Sequence, residues 1–102
     1  MKIVNEKEFD EIIKSGLTLV DFYADWCGPC KMLGPVLESV SADYPDVTFV
    51  KVNVDDNEEL AAEFGIMSIP AVFMFKDGKL VHNFLGAKME KSVKDELDKA
   101  FK

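Results

Sequence analysis

Residues 17–24 form an almost continuously apolar run rich in β-formers, and three residues after it come the chain's only two cysteines, Cys27 and Cys30. A run of this kind reads as a central strand covered on both faces. From residue 27 the pattern becomes helical, with Met32, Leu33, Val36, Leu37 and Val40 on one side of a helix reaching about residue 43. A buried strand feeding directly into a helix sets the frame of the chain, and the cysteines stand at the junction. If Cys27 caps the helix and Cys30 lies in its first turn, their Cα atoms are about 5–6 Å apart, inside the roughly 4.4–6.8 Å that a disulfide needs. The pair can then close and open with little backbone movement.

The helix end also supplies the electrostatics. Its unpaired N–H groups and the positive end of the macrodipole favour a thiolate over a thiol. Cys27, at the open end, is expected to attack. Cys30, one turn in, is expected to be more buried and to resolve. Pro29 lacks an N–H that the first turn does not use, and Gly28 leaves room for a partner's backbone. Two other uses of the pair are weaker. A clip across four residues closes too small a loop to stabilise much. Zinc normally takes four ligands, and His82, in a predicted edge strand, is the only histidine.

The remaining elements follow from local signals. Lys2-Ile3-Val4 reads as a short strand, and Asn5 with Glu8 as a capping box, with Val4 and Phe9 placed for a hydrophobic staple. Gly16 is expected to stop this helix as its C′ residue. Pro35 falls inside the second helix, where a kink is expected. Residues 47–54 form a second buried strand, interrupted by Lys51. Asp56 and Glu59 offer a second capping box for a short helix ending at Phe64 and Gly65. Residues 70–76 read as a strand, Asp77-Gly78 as a hairpin turn, and residues 80–85 as the returning strand. Met89, Val93, Leu97, Ala100 and Phe101 mark a C-terminal amphipathic helix. The order βαβαβαββα predicts one α/β domain over residues 1–102, a mixed sheet with helices on both faces.

The run Val20-Asp21-Phe22-Tyr23-Ala24-Asp25-Trp26-Cys27-Gly28-Pro29-Cys30-Lys31 resembles the active-site segment of the thioredoxin family. The Trp before the first cysteine, the Gly-Pro insert and the preceding strand carry the likeness. It covers essentially the whole chain and implies the thioredoxin fold, a central five-stranded sheet flanked by four helices. Thiols so placed titrate well below the ordinary value, as thioredoxins themselves exemplify.

Asp21 is a carboxylate inside an apolar strand, a placement that is rare unless the group is paired. One reading is a structural ion pair with Lys51 on the neighbouring strand. The other is a carboxyl of raised pKa that accepts the proton of Cys30. The two can hold together, and Asp21 and Lys51 match family positions with these roles. Gly65-Ile66-Met67-Ser68-Ile69-Pro70 resembles the family loop whose proline is cis and faces the cysteines. That likeness implies a cis Pro70 and an Ile69 backbone free to pair with an extended substrate. Trp26, Met67, Ile69 and the Gly86-Ala87 turn would then surround Cys27 as an apolar docking surface. Met67-Ser68 departs from the basic or polar residues common there in the family, which bears on partner choice.

The reading is a protein-disulfide reductase that needs no metal or bound organic cofactor. Its implied partners are a thioredoxin reductase and disulfide-containing proteins, and a monomer is expected. The alternatives are a disulfide oxidase or isomerase, and a non-catalytic binding module on the same fold. Twelve basic against nineteen acidic residues give a net charge of −7, which argues against nucleic acid or an anionic membrane as the main partner. No apolar run approaches the ~18 residues of a membrane span. Met1-Lys2-Ile3-Val4-Asn5 does not read as a secretory signal, so a cytoplasmic setting is expected.

Overall fold

The computed structural model describes residues 1–102, and its first helix obeys local chemistry. A short strand β1 (Lys2–Ile3) gives way at Asn5 to α1 (Glu6–Ile13). Asn5 Oδ1 accepts the Lys7 and Glu8 N–H groups, while the Glu8 carboxylate accepts the Asn5 N–H at 3.1 Å. The predicted capping box is therefore formed, and Val4 and Phe9 are buried in one cluster beneath it. The helix cap is Lys14, so Gly16, at φ 75°, lies one position farther out than predicted. A tertiary contact holds it there. Its N–H donates to Asp77 Oδ1 at 2.8 Å, and its carbonyl accepts the Asp77 N–H at 2.9 Å.

The apolar run 17–24 becomes β2 (Leu17–Tyr23), the centre of a five-stranded sheet of order β1-β3-β2-β4-β5. On one side β2 pairs in parallel with β3 (Val47–Asn53), from Leu17 opposite Val47 to Tyr23 opposite Asn53. On the other it pairs antiparallel with β4 (Ala71–Lys76), which continues through Asp77-Gly78 into the edge strand β5 (Lys79–Leu85). Both turn residues have positive φ, 49° and 87°, the signature of a type I′ hairpin.

Side chains alternate along β2 and divide the core in two. Val20 and Phe22 face α1 and the short α3 (Glu58–Glu63), where Phe9, Phe64, Phe73 and Phe75 join Phe22 in a network of tilted and edge-on rings. Leu19 faces α2 (Gly28–Ser41) and α4 (Glu90–Phe101), among Leu33, Leu37, Val40, Val93 and Leu97. No helix is long and apolar enough to cross a membrane.

Three expectations need correction. Met32 is exposed, because the buried stripe of α2 runs through Cys30, Leu33, Leu37 and Val40 and Met32 falls to its side. Met89 is exposed as well, since it caps α4 from outside the helix. The Asp56–Glu59 box does not form: α3 starts at Glu58, with Asn57 as its cap and no side-chain capping bond. Asn57 is instead buried and committed elsewhere. Its amide donates to the Asn53 carbonyl at 2.9 Å and its Oδ1 accepts the Glu6 N–H at 3.0 Å. Gly65, at φ 63°, closes α3 as predicted.

Candidate active site

Where β2 ends, the chain turns through Asp25-Trp26 and starts α2 on Cys27. Cys27 is the N-cap, in extended conformation, and its sulfur accepts the Cys30 N–H at 3.2 Å. The two cysteines are joined as a disulfide, with Cα atoms 5.3 Å apart, inside the predicted window. Gly28 and Pro29 occupy the exposed first turn, and a side chain at Gly28 would meet nothing within 4 Å. The approach to the disulfide is thus open above Gly28.

Burial does not rank the two cysteines. Cys27 is 4% exposed and Cys30 5%, against the expected contrast. Cys27 Sγ lies 3.9 Å from the Ile69 carbonyl oxygen, so the loop before β4 shields it, while both cysteines pack with Tyr23 and Ala24. What separates them is the helix terminus: the N–H is aimed at Cys27 alone.

The shielding loop has the implied shape. Ile69–Pro70 is cis, and the Pro70 carbonyl accepts the Gly86 N–H at 2.8 Å, tying the loop to the end of β5. Trp26, Met67 and Ile69 line one apolar groove together with Val54 and Ile66, and Met67 is 95% exposed. Ala87 is exposed but does not line this groove. Trp26 is held by a bond that sequence reasoning missed, from Nε1 to Asp55 Oδ2 at 2.8 Å. Asn53 positions Asp55, its Oδ1 accepting the Asp55 and Asp56 N–H groups at 2.8 and 3.3 Å. The run Asn53-Val54-Asp55-Asp56 carried the signal, since an Asn can close such a turn on its own backbone.

Asp21 projects from β2 onto the α2 face, as Leu19 does two residues earlier. It is fully buried, and no protein group hydrogen-bonds either of its oxygens. Burial pushes its carboxyl up from 3.8 to about 6, with the Lys51 charge opposing the rise. The expected contact pair with Lys51 is not made, although the two stand at paired positions of β2 and β3. The Lys51 ammonium sits instead 4.1 Å from the centroid of the Tyr23 ring, whose electron-rich face competes for it. Lys51 and Cys30 share the wall of one open cleft with Lys31 and Pro35. His82 stays apart from the disulfide, with Nε2 3.3 Å from Glu96 Oε1.

The family model for thioredoxin matches residues 1–99. The chain belongs to the thioredoxin family. It is 48% identical over 88 residues to a thioredoxin of Chlamydia pneumoniae, covering 86% of each chain. A thioredoxin of Staphylococcus haemolyticus is 46% identical over 97 residues, 94% of this chain and 93% of that one. Among solved structures, Plasmodium falciparum thioredoxin superposes with a TM-score of 0.91 at 40% identity, over 97% of this chain and 98% of that one. Mitochondrial thioredoxin 3 of Saccharomyces cerevisiae, in its oxidized form, gives 0.87 at 38% identity, over 96% and 94%. Like other thioredoxins, this chain is a thiol–disulfide oxidoreductase, a disulfide reductase working through a Cys-x-x-Cys pair.

Proposed function

We propose that Cys27 is the attacking thiolate of this reductase and Cys30 the resolving thiol. The observation that carries the assignment is the Cys30 N–H directed at Cys27 Sγ, 3.2 Å away, at the start of α2. In the dithiol form that N–H and the helix dipole favour negative charge on Cys27. The thiolate attacks a partner's disulfide, forming a mixed disulfide and releasing one partner thiolate. Asp21 then takes the proton of Cys30, and the Cys30 sulfur attacks Cys27. The second partner thiolate leaves, and two electrons have passed from the Cys27–Cys30 dithiol to the partner. A carboxyl near 6 is a competent acceptor at neutral pH, and Lys51 limits the cost of its charge. Cys30 and Lys51 both line an open cleft, so the resolving sulfur has solvent within reach.

Docking falls to Trp26, Met67 and Ile69, with Gly28 and Pro29 keeping the rim low and the Gly86-to-Pro70 hydrogen bond holding the far side. An extended partner segment would pair with the Ile69 backbone. Electrons return from a thioredoxin reductase, and the acidic chain works as a monomer in the cytoplasm. The test is trapping with a disulfide-bonded protein such as insulin. Cys30→Ser accumulates the mixed disulfide and Cys27→Ser stays at background. Equal trapping by both variants would overturn the assignment.

A further inference from the structure

We infer that Tyr23 is a positioning residue for the reaction: its ring holds the Lys51 ammonium off Asp21 and so keeps Asp21 an unpaired, proton-accepting carboxyl. The inference rests on the proposed role of Asp21. It starts from an arrangement that simple charge pairing does not predict. A buried carboxylate without a donor and a lysine at the paired position of the next strand are expected to close into a salt bridge. They do not. Lys51 Nζ lies over the Tyr23 ring instead, 4.1 Å from its centroid.

Tyr23 is suited to this task by its place in the fold. It follows Asp21 by two residues on β2, so both side chains point to the same face. It is buried against Ala24, Cys27 and Cys30, which fixes the ring directly behind the disulfide. Burial, helped by Asp25, holds its phenol above the ordinary value, so the ring is neutral throughout the working range. A neutral, immobile ring can hold a cation without adding a second negative charge beside Asp21.

Few other groups can set the behaviour of Asp21. From β3 comes Lys51, from its own strand Tyr23, and from α2 Cys30, while β4 places only apolar Val72 opposite it. Lys31, Glu38 and the Met1 ammonium line the same cleft as Lys51; Glu38 and Met1 pair with each other, and Lys51 is the charge that acts on Asp21. The Lys51 ammonium is thus the cation whose distance decides how basic Asp21 is, and Tyr23 sets that distance. With the ring removed, the ammonium closes on the carboxylate. Asp21 then becomes a weaker base, and Cys30 loses its proton more slowly.

The experiment is a titration of the Asp21 side-chain carboxyl carbon by NMR in the oxidised protein, alongside the pH profile of mixed-disulfide resolution. The wild type is expected to titrate at about 6. Tyr23→Leu is expected to lower that midpoint by about one pH unit or more, the scale of moving an opposite charge into contact. The acid limb of the resolution profile should move down with it. Tyr23→Phe keeps the ring face and should keep the wild-type midpoint. A midpoint that is unchanged or raised in Tyr23→Leu, or lowered equally in Tyr23→Phe, would overturn the inference. A second measurement needs no variant: the ring current of Tyr23 should shift the Lys51 ε-methylene protons upfield, and unshifted protons would also overturn it. These outcomes separate from a failure of Asp21 itself as proton acceptor, which would show as normal resolution in Asp21→Asn whatever Tyr23 does to the midpoint.

Discussion

Asp21 and Lys51 stand opposite one another on β2 and β3, yet the carboxylate has no donor and the ammonium rests on an aromatic ring. A carboxyl kept this way is costly to fold when ionised and useful when it must change protonation.

The first prediction concerns that cost. The folded pKa of Asp21, about 6, lies above the ordinary 3.8, so the fold favours the protonated form. Its stabilising share is complete below about 3.8 and is lost as pH rises through about 6. The displacement corresponds to about 3 kcal/mol. Asp21→Asn should therefore gain about 3 kcal/mol relative to wild type between acid and neutral pH. Urea melts of the oxidised forms at several pH values check this, and parallel curves across the range would contradict it.

A second prediction separates docking from chemistry. Trp26 is 70% exposed, so its removal leaves little hole in the core. Trp26→Ala should keep its melting temperature nearly unchanged and raise KM for a protein disulfide about 5–30-fold, as expected for an aromatic anchor worth about 1–2 kcal/mol. Steady-state insulin reduction measures it. A fall in kcat at constant KM would place Trp26 in the chemical step instead.

The two asparagines that precede α1 and α3 should behave differently. Asn5 caps an exposed helix end, and Asn5→Ala should cost about 1 kcal/mol. Asn57→Ala leaves the Glu6 N–H and the Asn53 carbonyl without partners in a buried setting, and should cost about 2–4 kcal/mol. Equilibrium unfolding of the two variants side by side tests the difference.

The corrected face of α2 gives a fourth test. Leu37 is fully buried and Met32 is exposed. Leu37→Ala should cost about 2–5 kcal/mol, while Met32→Ala should stay within about 0.5 kcal/mol. Comparable losses would restore Met32 to the buried stripe.

The sequence was legible where one element governs itself. The Asn5 box, the Asp77-Gly78 turn and the strand feeding Cys27 depend on neighbours a few residues away, and all are present. Misreadings arose where a distant group intervened. The Asp56–Glu59 box is absent where Asn57, tied to an N–H on α1 51 residues away, stands as the cap instead. Lys51 was drawn from Asp21 by a ring on β2. The equal burial of Cys27 and Cys30 follows from a loop more than forty residues on, folded over the first sulfur. Periodicity cannot report such competitors, because each is set by the register of the sheet.

The interlocked phenylalanines and the disulfide-bearing helix lie on opposite faces of one sheet. Selection for tolerance of heat or cold can therefore proceed through ring substitutions on one face. Selection on electron transfer can proceed through the first turn of α2 on the other. A lineage is free to adjust one property while inheriting the other unchanged.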